Sequence, residues 1–275
     1  MRRMLGHGSR HVRGDKGQVL TLGSVHSRHE DVERTVRVYL PASYRDEPSR
    51  RFPVLYLHDG QNLFDGGERG PSEAWGVDST LDALTMRGAL APWIVVAVDH
   101  RGVHRIGDYS PWPDPRLDFE PSAARYGAFV LDELMPLIDH ELRTLPGPVT
   151  TAMGGSSLGG LVSLYLAFRH PERIRRVVAM SPSVMWGSRG LFNLWTERRP
   201  ARLYLDVGAR EMFAAGTFGL DFDLDYGSEV PAFAAHLRQL GHGPDELLFV
   251  VDPDGEHHEW SWRRRLPAAL AWSLA

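Results

Sequence analysis

A glycine-rich turn around Ser157 constrains this 275-residue chain more than any other feature. The segment before it, Val149–Met153, predicts a short buried strand, and the segment after it, Leu158–Phe168, predicts a helix. Gly155-x-Ser157-x-Gly159 therefore falls where a strand turns sharply into a helix. Glycines flank the serine because neighbouring Cβ atoms would clash with its strained backbone. The pattern predicts a nucleophile elbow, with the serine hydroxyl above the sheet edge and a helix N-terminus beneath it.

Strand-like and helix-like segments alternate along the chain. Two segments with alternating apolar residues, Gln18–His26 and Arg34–Leu40, predict an antiparallel pair at a sheet edge. Two segments that are apolar throughout, Phe52–His58 and Trp93–Asp99, predict central parallel strands buried on both faces. Further strands are expected at Arg175–Met180, Arg202–Val207 and Glu246–Asp252, and helices at Asp78–Gly88, Ala123–Arg143, Glu229–Leu240 and Glu259–Ser273.

This alternation predicts the fold class and the domain organisation. The expected fold is α/β, with a doubly wound, mostly parallel sheet and an antiparallel N-terminal edge. Pro136 is expected to bend the longest helix. Residues 1–17 are predicted to form a mobile basic tail, and residues 18–275 a single domain, because no repeat or linker divides them.

Composition excludes several classes of function. The formal charge of -4 argues against a general nucleic-acid binder. The chain has no cysteine, so a disulfide scaffold, a cysteine nucleophile and a thiolate metal site are excluded. No apolar run approaches the ~18 residues of a membrane span, and the N-terminus shows no secretory signal. A soluble, cytoplasmic protein is therefore predicted, and its oligomeric state, including a homo-oligomer, is left open.

A nucleophilic serine requires a base and an orienting acid, which follow it in the order acid, then histidine, in α/β-hydrolases. The loop between the last predicted strand and the last helix contains His257 and His258. His257 is preferred, since His258 lies nearer the helix start. Glu211 lies beyond the end of its strand and is preferred as the acid over Asp206, which lies inside that strand.

The oxyanion of the tetrahedral intermediate requires two backbone N–H donors. One is expected from Leu158, the residue after the nucleophile, and the other from the loop after the third strand. Gly60 lets the backbone of that loop approach a substrate closely, so the Gln61 amide is the predicted second donor.

Four segments carry a resemblance to a known family: Leu57–Asp65, Gly154–Gly160, Ser181–Ser183 and Gly255–Trp262. The chain resembles the putative-esterase family of α/β-hydrolases, which includes enterochelin-esterase-like proteins, S-formylglutathione hydrolases (esterase D), feruloyl and acetylxylan esterases, and mycolyltransferases. The resemblance extends from about residue 18 to the C-terminus and is specific to the family but not to a substrate. Enterochelin esterases carry an additional N-terminal domain, and the 17 residues of the predicted tail cannot supply one.

By position, the resemblance implies that Ser157 is the nucleophile, His257 the base and Glu211 the orienting acid. It also implies that the loop at Gly60-Gln61 forms half of the oxyanion hole. The expected function is a serine esterase that hydrolyses a soluble, small-molecule ester through an acyl-enzyme. An acyltransferase that uses the same triad, a non-catalytic binding member of the family and a peptidase are the alternatives.

The predicted pocket is open, because the insert Pro182–Pro200 is short where many lipases carry a large lid. Candidate substrate-binding residues are Asp59, Arg101, Arg105, Trp186 and Phe213. Aromatic side chains of the insert and of the segment after the acid either form an apolar wall for the substrate or anchor their loops to the core. These aromatic residues are Trp186, Phe192, Trp195, Phe213, Phe218 and Phe222.

No cofactor is predicted, and neither is a metal site. Asp221–Gly227 resembles the opening of a calcium loop, but its glycine is one place late and position twelve is Ala232 instead of glutamate. The His257-His258 pair lacks a spaced third ligand. No phosphate-binding loop or dinucleotide fingerprint is present.

Overall fold

A mixed eight-stranded sheet organises the structure, a computed structural model that describes residues 16–65, 73–214 and 223–275. In chain order its strands are Gln18–Ser27 (β1), Val32–Leu40 (β2), Val54–His58 (β3), Ile94–Val98 (β4), Thr151–Ser156 (β5), Arg176–Met180 (β6), Arg202–Gly208 (β7) and Leu247–Asp252 (β10). Between β7 and β10 in the chain, Met212–Phe213 (β8) and Leu224–Asp225 (β9) form a separate two-stranded ladder. The spatial order is β1-β2-β4-β3-β5-β6-β7-β10. The β1/β2 and β2/β4 pairs are antiparallel and the remaining pairs are parallel. The mostly parallel sheet with an antiparallel N-terminal edge is therefore confirmed.

Helices cover both faces of the sheet. They are Ala42–Asp46 (α1), Val77–Met86 (α2), Arg105–Tyr109 (α3), Ala123–Ala128 (α4), Met135–Glu141 (α5), Leu158–Arg169 (α6), Trp186–Leu194 (α7), Tyr226–Gln239 (α8) and Glu259–Leu274 (α9). None of these helices is long and apolar enough to cross a membrane.

Two apolar cores lie on opposite faces of the central strands, because successive side chains of a strand point in opposite directions. In β3, Tyr56 packs with the core that α4 to α8 cover, whereas Leu55 and Leu57 pack with the core that α2 and α9 cover. All five residues of β3 and all five of β4 are buried. Fully apolar strand segments are thus explained by burial on both faces.

Residues 123–143 do not form the single bent α-helix that the sequence predicts. The structure has α4, a π-helical stretch at Phe129–Leu134 and then α5. Pro136 follows this stretch, and proline lacks the N–H that an α-helical turn needs. The wider π turn immediately before the proline accommodates it.

The carboxyl ends of the parallel strands meet at one edge of the sheet. Asp59 is the residue after β3, and Ser157 lies in the turn after β5. Glu211 lies in the loop after β7. The loop after β10 carries His257. Four positions far apart in the chain are therefore brought to the same edge, where open α/β sheets bind their ligands.

Candidate active site

The elbow places Ser157 in a strained conformation at the start of α6. Its φ is 55° and its ψ is -122°, a region that non-glycine residues rarely adopt. A Cβ atom on Gly155 would lie 3.0 Å from the backbone of Gly159, and one on Gly160 would lie 3.0 Å from Pro182. Glycine is therefore favoured around the serine for the steric reason that the sequence pattern predicts.

The Ser157 hydroxyl lies in a triangle of hydroxyl groups. Its Oγ is 3.3 Å from the Ser183 Oγ and 3.3 Å from the Tyr226 hydroxyl. Ser183 and Tyr226 are in turn 2.8 Å apart. The main-chain N–H of Ser183 also donates to the Ser157 carbonyl at 3.1 Å. The nucleophile candidate is therefore held by polar contacts on both its backbone and its side chain.

His257 and Glu211 form a direct pair. His257 Nδ1 lies 2.9 Å from Glu211 Oε2, and the side chains are 7% and 0% exposed. The other carboxylate oxygen accepts the Gly208 N–H at 2.7 Å and the Ser181 hydroxyl at 2.8 Å. A buried carboxylate held by these donors fixes the orientation of the imidazole through Nδ1. Nε2 is then the ring nitrogen that can exchange a proton with a nucleophile.

The electrostatic environment keeps Glu211 ionised. Burial by itself would raise its pKa, but the bond from His257, the bond from Ser181 and the charge of Arg265 outweigh that effect, and the pKa lies below the usual value. Arg265 Nη2 lies 3.4 Å from Glu211 Oε1 and donates to Ser181 at 2.8 Å. Trp262 Nε1 also donates to Ser181, at 3.0 Å.

Asp206, the alternative acid, lies inside β7 among other partners. It accepts the Ser181 N–H and the Tyr204 hydroxyl, each at 3.0 Å, and lies 3.1 Å from Arg265 Nε. Complete burial raises its pKa to about 6 against the opposing charge of Arg265. The structure therefore brings Glu211, rather than Asp206, to the His257 ring.

The second imidazole candidate, His258, has a different role in the structure. It is the N-cap of α9, where its Nδ1 accepts the Trp260 N–H at 3.5 Å. Its side chain is 47% exposed and lies 3.7 Å from Glu259. The two adjacent histidines thus point to different partners.

A cavity of about 360 Å³ opens above the elbow. Ser157 and His257 both line it, and the Tyr226 ring packs against the His257 ring with 4.3 Å between centroids and an interplanar angle of 43°. The lining combines polar and apolar side chains: Asp59, Asn62, His100, Arg105, Ile106, Ser156, Leu158, Ser183, Trp186, Leu224, Tyr226, His258, Glu259 and Trp262. The site can therefore take a small molecule with both polar and apolar parts.

Of the two residues predicted to supply oxyanion donors, Leu158 lines the cavity and Gln61 lies between two residues that line it. Leu158 lines the cavity at the first position of α6. Gln61 lies on a 3₁₀ turn between Asp59 and Asn62, which both line the cavity. Its side-chain amide is tied to the His100 backbone by bonds of 3.3 and 3.1 Å, so the turn is held in place.

The predicted substrate-binding charges separate into two ion pairs. Arg105 binds Asp59 through two bonds of 2.7 Å, and both residues line the cavity. Burial would raise the pKa of Asp59, but Arg105 lowers it below its usual value. Arg101 instead binds the buried Asp108, at 2.5 and 3.0 Å. The structure thus brings Asp59 and Arg105, but not the Arg101 pair, to the cavity wall.

The predicted aromatic residues also divide between the cavity and the core. Trp186 lines the cavity and donates from Nε1 to Ser110 at 2.9 Å, and Phe213 packs edge-on against the His257 ring. Phe192 and Trp195 anchor their segment, because they pack on Phe233 and Phe168 with centroids 5.1 Å apart. Phe218 and Phe222 lie outside the described residues.

Part of the segment considered as a calcium loop is also outside the described residues, namely Asp221 and Phe222. Asp225 caps α8, where it accepts the Ser228 N–H at 3.0 Å and the Ser228 hydroxyl at 2.6 Å. Within residues 16–65, 73–214 and 223–275, no three histidine, aspartate or glutamate side chains cluster as a metal site would require.

Sequence reasoning missed two residues of this site, Tyr226 and Arg265. In the sequence, Tyr226 belongs only to the calcium-loop pattern, and Arg265 belongs to no motif. Ser181 belongs to one of the segments that carry the family resemblance, but the sequence assigns it no role.

Comparison with known proteins decides the family. The model of the family described as Putative esterase matches residues 27–273. The chain belongs to the putative esterase family. The enzyme class predicted from the sequence, a carboxylic ester hydrolase, follows from this membership.

Relatives of this esterase family member differ in length and description. The uncharacterized protein YbbA of Bacillus subtilis is 22% identical over 253 residues, covering 90% of this chain and 94% of YbbA. The iron(III) enterobactin esterase of Escherichia coli K12 is 27% identical over 248 residues, covering 88% of this chain and 54% of the enterobactin esterase. The chain thus spans about half the length of that relative.

A solved structure of a ferulic acid esterase aligns with a TM-score of 0.72 at 20% identity, covering 94% of this chain and 98% of the other. This likeness confirms the predicted α/β-hydrolase fold.

Proposed function

We propose that this protein is a serine esterase that hydrolyses a small carboxylic ester through an acyl-enzyme. Ser157 is the nucleophile, His257 the general base and Glu211 the acid that orients the imidazole. The observation that carries the proposal is the 2.9 Å contact between His257 Nδ1 and the buried Glu211 carboxylate, beside a cavity that the strained Ser157 also lines.

In acylation, the Ser157 Oγ attacks the ester carbonyl carbon and its proton passes to His257 Nε2. The carboxylate of Glu211 holds Nδ1–H and stabilises the imidazolium that forms. The carbonyl oxygen becomes an oxyanion, which the N–H groups of Leu158 and Gln61 bind. The α6 N-terminus adds a favourable partial positive charge at the same place. The C–O bond to the alcohol then breaks, and the alcohol leaves with the proton from His257.

In deacylation, His257 removes a proton from water, which attacks the carbonyl carbon of the acyl-enzyme. The second tetrahedral intermediate collapses when the bond between that carbon and Ser157 Oγ breaks. Oγ recovers its proton from His257, and the free acid leaves. Glu211 stays ionised in both steps, as its lowered pKa supports.

The cavity supports a small ester with an aromatic or short aliphatic acyl group. Its volume of about 360 Å³ is near the lower end of the ~300–1,000 Å³ that small-molecule sites occupy. Trp186 and Trp262 provide apolar wall, while Arg105 and Asn62 provide polar contacts. The name of one relative, an iron(III) enterobactin esterase, supports ester hydrolysis as the reaction class.

The test is a panel of acetyl, butyryl, octanoyl, feruloyl and catechol-type esters, measured with the wild-type protein and Ser157→Ala. We expect hydrolysis of at least one short or aromatic ester and its loss, by at least about 10⁴-fold, in Ser157→Ala. Ser49→Ala, at an exposed serine in the turn after α1, is the matched control and should retain full activity. Full activity of Ser157→Ala would overturn the proposal, and release of a new ester in the presence of an added alcohol would assign acyl transfer instead.

A further inference from the structure

Tyr226 contacts all three residues of the proposed triad. Its backbone N–H donates to the Glu211 backbone carbonyl at 3.0 Å, its ring centroid lies 4.3 Å from that of His257, and its hydroxyl lies 3.3 Å from Ser157 Oγ. The β8/β9 ladder places it there, because Met212 pairs with Asp225, the residue before Tyr226. Its side chain thus contacts the nucleophile and the base, and its backbone is bonded to the backbone of the acid, so Tyr226 is in a position to act on the reaction.

The hydroxyl of Tyr226 has two polar neighbours in the triangle described above, Ser157 at 3.3 Å and Ser183 at 2.8 Å. Tyr226 is 3% exposed, and burial raises its pKa above the usual value, so the phenol keeps its proton at the pH of ester hydrolysis. A phenol has one proton to donate and can accept a bond at the same time.

We propose that the Tyr226 hydroxyl donates a hydrogen bond to Ser157 Oγ and is a further catalytic residue of this esterase. The inference rests on the proposed function, since it requires Ser157 to be the nucleophile. Ser183 donates to Tyr226 and Tyr226 donates to Ser157, so the proton of Ser157 itself remains for His257. The opposite direction would direct the Ser157 proton to Tyr226 and away from the base.

A donor at this place acts in both chemical steps. In acylation, Oγ gains negative charge as its proton moves to His257 and as the new bond to the carbonyl carbon forms. In deacylation, the electron pair of the breaking C–Oγ bond returns to Oγ before His257 protonates it. A hydrogen bond to an oxygen that gains charge is stronger in the transition state than in the ground state, and only such a bond raises the rate.

The test is Tyr226→Phe, which keeps the ring on His257 and removes the hydroxyl alone. Single-turnover and burst kinetics with p-nitrophenyl esters separate the acylation and deacylation rate constants. We expect both to fall by about 10- to 100-fold, as loss of a bond to a charged group implies. The apparent dissociation constant of the ester should stay within about twofold, because the lost bond is to Oγ and not to the substrate.

Esters that share one acyl group but differ in their alcohol give the same acyl-enzyme. The fall in deacylation rate should therefore be identical for all of them, since Oγ is the leaving atom each time. A role in packing alone would leave Tyr226→Phe active and would inactivate only Tyr226→Leu, which also loses the ring.

Tyr39→Phe is the matched control. The Tyr39 hydroxyl is buried and donates to Asp82 at 2.8 Å, on the second and opposite core. Rates are measured below the unfolding midpoint of each variant, so that only folded protein is compared. If Tyr226→Phe has the same rate constants as the wild type while Ser157→Ala is inactive, this inference is overturned and the proposed function stands. Activity in Ser157→Ala would overturn the proposed function itself.

Discussion

His257 and Glu211 are 46 positions apart in the chain, and their side chains meet with 2.9 Å between Nδ1 and Oε2. The loops after two adjacent strands, β10 and β7, deliver them. Because Nδ1 is held by the carboxylate, Nε2 is the nitrogen that can exchange a proton with a nucleophile or a substrate. The chemistry proposed for this esterase depends on that fixed orientation.

Glu211→Gln tests the orienting acid. Glutamine keeps the shape of the side chain but lacks the charge that stabilises the imidazolium, so we expect kcat for ester hydrolysis to fall by about 10³- to 10⁴-fold. Asp206→Asn is the comparison, because Asp206 is the alternative acid and shares Arg265 with Glu211. A larger loss of kcat in Asp206→Asn than in Glu211→Gln would assign the acid to Asp206.

His257→Ala and His258→Ala separate the two adjacent imidazoles. We expect His257→Ala to lower kcat/KM by at least about 10⁴-fold, because the general base is lost. His258→Ala should retain kcat within about threefold and lose about 1 kcal/mol of unfolding free energy, because only the N-cap of α9 is removed. Steady-state kinetics and urea unfolding measure both effects. Loss of activity confined to His258→Ala would show that the base is misassigned.

Gly155→Ala tests the steric requirement of the elbow. The added Cβ meets the Gly159 backbone at 3.0 Å, so we expect a loss of about 1–3 kcal/mol in stability together with a fall in kcat. Gly243→Ala is the matched control, because a Cβ there meets nothing within 4 Å, and its effect should stay within about 0.5 kcal/mol. Equal stability and activity of the two variants, by thermal unfolding and ester hydrolysis, would contradict the strain at the elbow.

His58 makes the stability of the protein depend on pH. Burial lowers its pKa from 6.5 to about 4, and its Nδ1 lies 2.7 Å from the Tyr126 hydroxyl. Between those two pKa values the unfolded chain binds more protons than the folded one, so stability rises with pH across this window. From pH 7 to pH 5 we expect a loss of about 2 kcal/mol attributable to this group.

The measurement is urea unfolding at pH 5, 6 and 7, with His58→Gln as the comparison. Glutamine cannot titrate and can still bond Tyr126, so the variant should lose about 2 kcal/mol less than the wild type between pH 7 and pH 5. Identical pH dependence of the unfolding free energy in the two proteins would show that His58 is not the group responsible.

The strands, the elbow and the loops after β7 and β10 were predictable from the sequence because their signals are local. A run such as Ile94–Val98 is apolar because both faces of the sheet are covered. The glycine at position 155 is explained by a contact with Gly159, four residues later in the chain. The prediction that the elbow strand begins at Val149 is wrong, since β5 begins at Thr151 and Val149 is 55% exposed in the preceding turn.

The remaining parts of the site depend on contacts between distant segments, which no local pattern records. Tyr226 reaches Ser157 only because β8 and β9 pair, and each of these strands has two residues. Arg265 reaches Glu211 only because α9 packs against β6 and β7. The pairing of Arg105 with Asp59 likewise joins positions 46 apart. Sequence reasoning named these two charges but could not pair them.

The most direct test of the central claim is to map the residue that a fluorophosphonate probe modifies. Wild-type protein is labelled and its peptides are analysed by mass spectrometry, with Ser157→Ala and His257→Ala treated in parallel. The account predicts one phosphonylated peptide, modified at Ser157, with labelling absent in Ser157→Ala and slowed by at least about 10³-fold in His257→Ala. Modification of a different residue, or equally fast labelling in all three proteins, would contradict it.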